Sequence, residues 1–225
     1  MRWCDRFSLL GAVVATALVA APAARAQMLS QPDGWRTRAE RFVAMPPGFH
    51  VTTSPSVLFY HPDATVGSEF TVTTDGFMFG GDSPNTYGLF VGGRHLDGDA
   101  ATWVSFEVGL DGRWVVRQRQ PRDLQTGFEI VDLAGPEAGP VALPGPEGPA
   151  RNALGVTVGA DEVAFELNGD TVARLPRADL PLDGVTGFRV GAGLNLHLVT
   201  LSITSGGETT NWAPVRDEEA EGNGS

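Results

Sequence analysis

One aromatic and three charged side chains between residues 103 and 119 have the spacing of a ligand-binding face. Trp103 and Glu107 share strand parity, as do Arg117 and Arg119, because alternate side chains of a strand point the same way. In a hairpin, Trp103 would lie across from Arg119, and Glu107 near Arg117. An indole packs on the apolar face of a pyranose, while guanidinium and carboxylate groups bond to its hydroxyls. The four residues are therefore candidates for sugar recognition.

The same four residues also fit a purely structural face. In that arrangement a loop covers Trp103, and the arginines pair with Glu107 instead of contacting a ligand. Charged side chains are usual on a solvated sheet face, whereas a tryptophan beside arginine is less common. The pattern alone leaves both arrangements open.

The segment before this hairpin supplies further candidates. Tyr87, Arg94 and His95 lie on the neighbouring run, and we expect them to border the same face. Asp97 and Asp99 flank a glycine in the following loop, and calcium prefers such oxygen ligands. The same Asp-Gly-Asp sequence is also ordinary turn chemistry, so these two residues are weak metal candidates, and no other cofactor is indicated.

Catalytic groups are harder to find. Glycoside hydrolysis needs two carboxyl groups flanking one bond. Glu162 and Glu166 share strand parity, so a pair is geometrically conceivable, but a solvated face is the favoured explanation for both. Neither a His-Glu-x-x-His nor a Gly-x-Ser-x-Gly motif is present. The sequence therefore assigns no catalytic residue.

Two histidines lie in strand-like segments. His197 alternates in step with Val199, Leu201 and Ile203, which favours a position in the core or at its rim. His50 follows a Pro-Gly turn and is expected at a sheet edge, held by a structural hydrogen bond.

The turn around Asp111 and Gly112 sets the pairing of the central hairpin. A two-residue turn would mix apolar and charged side chains on one face. A three-residue turn, with Gly112 as a left-handed bulge, pairs Val108 with Trp114 and Phe106 with Val116. Because burial selects the register with one apolar face, we expect this second pairing and a buried apolar set. That set is Val104, Phe106, Val108, Trp114 and Val116, with Arg117 exposed.

Short strands joined by turns dominate the rest of the chain. Glycine and proline number 29 and 16 in 225 residues, which disfavours a helical bundle. Asn168-Gly169 is a two-residue hairpin signal, because both residue types tolerate positive φ. With about a dozen strands and little helix, the chain is predicted to be an all-β sandwich of two antiparallel sheets.

Charge and cysteine content exclude several classes of protein. The net charge of -11 opposes binding to nucleic acid, whose phosphates it would repel. Lysine is absent, which excludes Schiff-base and P-loop lysine chemistry. The single cysteine, Cys4, lies in a segment that we expect to be removed, so disulfides and thiolate catalysis are excluded from the mature chain.

Three segments differ in composition. Residues 1–26 have the charged start, short apolar run and Ala-Arg-Ala end of a secretory signal peptide, so a secreted or periplasmic location is expected. Residues 27–205 form the predicted sandwich domain, without a membrane span. Within it, residues 134–150 are rich in glycine, proline and glutamate and are predicted to be a long surface loop. Residues 206–225 are predicted to be an acidic disordered tail.

Several segments, taken in order, resemble the concanavalin A-like lectin and glucanase jelly rolls, especially bacterial secreted domains of the 3-keto-disaccharide hydrolase or family-16-like type. They are 47–53, 87–93, 103–120, 152–154, 165–169 and 184–190. The resemblance covers most of the mature chain and consists mainly of turn and core patterns. It therefore implies a jelly-roll fold more strongly than an activity.

The resemblance also implies a glycan partner. Catalytic members of the group carry Glu-x-Asp-x-Glu or Glu-x-Asp-x-x-Glu on one strand, and neither pattern occurs here. The favoured hypothesis is thus a secreted carbohydrate-binding, lectin-like domain without catalysis. A glycoside-active hydrolase of the 3-keto-disaccharide type and a structural or interaction domain of the cell envelope are the alternatives.

We predict that export is accompanied by cleavage after Ala26, because small residues occupy both recognition positions. N-terminal sequencing of the exported protein is expected to begin at Gln27. A full-length form retained in the inner membrane would contradict this prediction.

Overall fold

The computed structural model describes residues 29–30, 34–37, 41–45, 47–80, 83–122 and 127–213. The predicted signal segment therefore lies outside the described residues. Among the residues described, regular structure is almost entirely β, with one 3₁₀ turn at Arg177–Asp179. No helix in this part of the chain is long and apolar enough to cross a bilayer.

Seventeen strands follow one another along the described chain. They are β1 Leu29–Ser30, β2 Arg36–Thr37, β3 Arg41–Met45, β4 Gly48–Thr52, β5 Val57–Val66, β6 Phe70–Met78, β7 Thr86–Arg94, β8 Thr102–Gly109, β9 Arg113–Pro121, β10 Phe128–Ala138, β11 Ala150–Val158, β12 Glu162–Leu167, β13 Asp170–Pro176, β14 Gly184–Val190, β15 Asn195–Leu198, β16 Leu201–Ser205 and β17 Glu208–Trp212.

The strands form two antiparallel sheets. The front sheet has the order β1-β2-β5-β14-β7-β8-β9-β10, so its last four strands are a meander of neighbours in sequence. The back sheet has the order β13-β12-β11-β6-β15-β4-β3, with β16 pairing β6 and β17 pairing β16. This arrangement confirms the predicted all-β sandwich.

The core lies between the two sheets and is built from alternate residues of each strand. Phe106 on β8 contacts Trp114 on β9 and Phe165 on β12, with ring centroids 6.4 and 5.6 Å apart. A second stack joins Trp35 to Phe59 within the front sheet, 4.5 Å apart, and Trp35 also contacts Phe49 on β4 of the back sheet at 4.7 Å. Aromatic contacts within the front sheet and between the two sheets therefore stabilise the sandwich.

The central hairpin has the predicted register. Val108 pairs with Trp114, Phe106 with Val116 and Trp103 with Arg119. Gly112 has a φ of 77°, which the three-residue turn requires and which a glycine adopts without strain. The five predicted core residues, Val104, Phe106, Val108, Trp114 and Val116, are all buried. Burial of one apolar face therefore selects this pairing.

The Asn168-Gly169 turn also has the predicted form. Leu167 pairs with Asp170 across it, and Asn168 and Gly169 have φ values of 53° and 94°. Two consecutive residues of positive φ match the right-handed twist of the strands that they join.

Two segment boundaries differ from the sequence prediction. Strand β10 extends to Ala138, so the loop predicted over 134–150 is confined to 139–149. Strand β17 lies within the segment predicted as a disordered tail, whose start at residue 206 is therefore wrong. Gly206 and Gly207, both of positive φ, turn the chain back onto β16, a hairpin signal that the acidic composition beyond it obscured. Residues 214–225 lie outside the described residues.

We predict that Phe106→Ala lowers the free energy of unfolding by about 3–5 kcal/mol, because it removes a fully buried ring from the contact between the sheets. Chemical denaturation followed by tryptophan fluorescence measures the change. A loss below about 1 kcal/mol would show that Phe106 is not part of the core.

Candidate functional site

Glu107 lies on the outer face of the front sheet, on strand β8. Its neighbours Phe106 and Val108 point into the core, so alternation directs Glu107 to the opposite side. Although it is on the outer face, its side chain is 0% exposed. A buried carboxylate must have hydrogen-bond donors around it, and four side chains from four strands provide them.

Two guanidinium groups and two hydroxyls surround the Glu107 carboxylate. Arg189 Nη1 on β14 and Arg117 Nη1 on β9 lie 3.1 and 3.3 Å from its Oε2 atom. Ser105 Oγ donates to Oε1 at 2.6 Å, and the Thr86 hydroxyl donates to Oε2. Oε1 is thus engaged by a residue of the same strand, whereas the three partners of Oε2 come from other strands and meet only in the folded sheet.

The network continues toward the edge of the sheet through Arg117. Its Nε atom lies 2.8 Å from Asp132 Oδ1 on β10, so this guanidinium bridges two carboxylates. Arg117 and Arg189 balance the charges of Glu107 and Asp132. The side chains of Arg117 and Arg189 remain 25% and 14% exposed, so each presents part of a planar, charged donor to solvent.

A second cluster on the same face surrounds Trp103. Trp103 is only 8% exposed and packs with Tyr60, Phe90 and Ala101. Arg119 places its guanidinium carbon 4.9 Å from the Trp103 ring centroid. At Trp103 the structure therefore has the covered arrangement and not an open stacking surface.

Arg119 contacts two aromatic rings. Its guanidinium carbon also lies over the Phe128 ring, 3.6 Å from the ring centroid. It donates to the backbone oxygens of Ala101 and Asp99, the latter at 2.9 Å. Burial lowers the pKa of Arg119, and the nearby Asp99 opposes this shift. The cation is thus fixed in place by backbone oxygens and ring faces.

A groove of about 220 Å³ adjoins the Trp103 cluster. Phe128, which is 47% exposed, Ile130 and Leu58 contribute to its apolar lining. Arg189 connects the groove to the Glu107 network. The groove thus combines apolar surface with planar charged donors, which is the combination that binds a ring bearing hydroxyls. Its lining residues are Ser56, Val57, Leu58, Trp103, Arg119, Phe128, Ile130 and Arg189.

The structure brings together Trp103, Glu107, Arg117 and Arg119, but it does not place Tyr87 with them. Tyr87 pairs with Val108, so alternation turns its ring into the core, where it is 1% exposed. Burial raises the pKa of its hydroxyl to about 12, and that hydroxyl donates to Gly76 O at 3.3 Å. The expectation that Tyr87 borders the outer face is wrong for this reason.

Arg94 and His95 lie at the end of β7, apart from the Glu107 network. Arg94 Nε donates to Asp183 O at 3.0 Å. His95 is an exposed residue with a φ of 54° that begins the turn after the strand. Neither is among the residues that line the groove.

The two aspartates proposed as weak calcium ligands have other contacts. Asp97 accepts a hydrogen bond from the Tyr60 hydroxyl at 2.8 Å and lies 3.4 Å from Arg36 Nη1. Together with burial, Asp97 raises the pKa of Tyr60 to about 12. Asp99 contacts Arg119 through its backbone oxygen. Within the described ranges, no group of three or more histidine, cysteine, aspartate or glutamate side chains gathers as a metal site would.

Glu162 and Glu166 are separated by their partners. Glu162 forms an exposed ion pair with Arg174. Glu166 instead lines a depression of about 270 Å³ on the back sheet, together with Asp75, whose carboxylate lies 2.9 Å from Arg151. The carboxylates of Glu162 and Glu166, which the sequence suggested as a pair, thus have different surroundings.

Sequence reasoning missed Arg189, Phe128, Asp132 and Thr86. The alternation around Arg189 held a usable signal, because Phe188 and Val190 are apolar and leave Arg189 facing outward. No comparable signal marks Phe128, since only the pairing of β9 with β10 brings it to Arg119.

Comparison with solved structures identifies the class of fold. No family model and no curated protein sequence matches the chain. A carbohydrate-binding module of family CBM66 from Bacillus subtilis is similar, with a TM-score of 0.58 and 15% identity over 76% of this chain and 96% of that one. The structure confirms the predicted concanavalin A-like jelly roll.

Two further structures have the same fold. A Bacillus subtilis protein with a galectin-like fold matches with a TM-score of 0.53 and 14% identity, over 75% of this chain and 88% of that one. The carbohydrate recognition domain of Emp47p matches with a TM-score of 0.50 and 11% identity, over 78% and 90%.

We predict that Glu107→Ala lowers the free energy of unfolding by about 3–5 kcal/mol, because it leaves two guanidinium groups without their buried partner. Glu162→Ala, which removes one half of an exposed ion pair, is the control and is expected to cost about 0–1 kcal/mol. Equal losses in denaturant titrations of the two variants would contradict the role assigned to the Glu107 network.

Proposed function

We propose that the chain is an exported carbohydrate-binding domain without catalytic activity, which binds a glycan on the outer face of the front sheet. The observation that carries the proposal is the Glu107 network: a buried carboxylate fixes two partly exposed guanidinium groups from separate strands beside an apolar groove. Such rigid, planar donors suit sugar hydroxyls, because little ordering remains to be done when the ligand binds.

The fold supports this proposal. Two of the similar structures are named as a carbohydrate-binding module and a carbohydrate recognition domain. Their likeness concerns the fold alone, so the assignment to this chain rests on its own residues. Export is proposed from the composition of residues 1–26, which lie outside the described residues.

The geometry favours binding over bond cleavage. The oxygens of Glu107 are engaged by Ser105, Thr86 and two arginines, so this carboxylate positions other groups. Asp132, the second carboxylate of the network, is bonded to Arg117. An acid and a base flanking one glycosidic bond would each need access to the substrate.

Phe128 is the side chain best placed for apolar contact with a sugar ring. One face of its ring contacts the Arg119 guanidinium, and the side chain is half exposed beside Ile130. Trp103 contacts the same guanidinium and thereby helps to hold Arg119 in position. The structure thus supports a site in which Phe128 takes the contacting role that the sequence suggested for Trp103.

We predict that Phe128→Ala abolishes measurable binding of a glycan identified on a polysaccharide array, because it removes the exposed apolar wall of the groove. Each sugar hydroxyl bond contributes only about 0.5–1.5 kcal/mol net, so wild-type affinity is expected in the micromolar to millimolar range. Leu143→Ala is the matched control: Leu143 is 50% exposed but lies outside the groove. Isothermal titration with oligosaccharides measures both variants.

Equal affinity of Phe128→Ala and wild type for a confirmed glycan would place binding on another surface. Release of sugar product during the titration would instead support a hydrolase. Failure of every glycan on the array would favour a structural or interaction domain.

A further inference from the structure

Two histidines face each other on the outer side of the back sheet. His50 on β4 is paired directly with His197 on β15. Their neighbours along both strands point into the core, so alternation directs both imidazoles outward. Those neighbours are Phe49, Val51, Leu196 and Leu198. The strand β3 lies beyond β4, so His50 is not at the sheet edge where the sequence placed it.

The register places the two imidazoles within reach of one small ion. Residues directly opposite in an antiparallel pair have Cβ atoms about 4.5–5.5 Å apart. Electrostatic interaction with His50 contributes to lowering the pKa of His197, after burial as the larger cause. Each ring also contacts a phenylalanine: His50 lies 5.4 Å from Phe79 and His197 lies 6.2 Å from Phe77.

Neither imidazole has a hydrogen bond or ion pair with the part of the chain that the structure describes, and both side chains are partly exposed. The other two histidines have different surroundings. His61 accepts a hydrogen bond from the Asp63 backbone and lies 4.5 Å from the Trp212 ring. His95 is exposed in a turn. The His50–His197 pair is thus the one directly opposed pair of imidazoles among the described residues.

We propose that His50 and His197 together bind one divalent transition-metal ion on the outer face of the back sheet. Neutral imidazole is the commonest protein ligand for such ions and suits zinc, copper and nickel. Because the strand register already places the two residues opposite each other, their imidazoles can chelate one ion by side-chain rotation alone, without reorganisation of the backbone. Since two ligands leave positions of a four-coordinate ion open, water or a group from a bound molecule completes the coordination.

A shallow apolar cavity of about 530 Å³ adjoins His197. Its lining includes Met45, Phe77, Phe79 and Val199, together with Asp75, whose carboxylate is paired with Arg151. The site lies on the opposite sheet from the proposed glycan face, so the two are independent and each is testable alone.

The test is a zinc titration of the full mature chain followed by the imidazole NMR signals of individual histidines. The signals of His50 and His197 are expected to shift together, with one shared midpoint, while that of His95 stays unchanged. Removal of an outer-shell partner weakens metal binding about 10–100-fold, so loss of a ligand in His50→Ala is expected to weaken the His197 response by at least that factor.

His95→Ala is the matched control and is expected to leave the His50 and His197 midpoints unchanged. Melting temperatures of the variants report whether the fold is retained, and His197→Ala gives a second test at the same site. The proposal is overturned if His50 and His197 shift at different zinc concentrations, or if His50→Ala leaves the His197 midpoint unaltered. Absence of any shift up to millimolar zinc would also overturn it.

Discussion

The pairing register of β8 with β9 is the constraint on which both the core and the candidate site depend. A one-residue slip would exchange the two faces of each strand, sending Phe106 to solvent and Glu107 into the core. Gly112 fixes the register through its positive φ, and burial of the apolar face makes the alternative costly. The residues that stabilise the sandwich and those that form the outer face are thus specified by the same turn.

On the outer face, the buried carboxylate of Glu107 needs hydrogen-bond donors around it. Glu107 is stable on this face only because Arg117, Arg189, Ser105 and Thr86 all contact it. No buried side-chain nitrogen or oxygen lacks a partner in the part of the chain that the structure describes. A network in which every polar group has a hydrogen-bond partner holds its side chains rigidly. The exposed edges of the two arginines are therefore presented in one fixed geometry.

The sequence predicted those features that depend on local pattern. Alternation and turn chemistry were sufficient for the fold class, the β8–β9 pairing and the contact between Glu107 and Arg117. Features that depend on contacts distant in sequence were not predictable in this way. Arg189 contacts Glu107 although the two residues are 82 positions apart in sequence. The face to which Tyr87 points depends on its pairing with Val108 on the neighbouring strand. Likewise, Tyr60 and Phe90, which bury Trp103, come from strands distant from it in sequence.

Glycan binding to the outer face of the front sheet can be tested by mapping backbone amide shifts during titration with a binding oligosaccharide. The shifts are expected to concentrate on β8, β9, β14 and the start of β10, around Ser105, Arg117, Arg189 and Phe128. Shifts concentrated on the outer face of the back sheet, around Thr73 and Glu166, would contradict it.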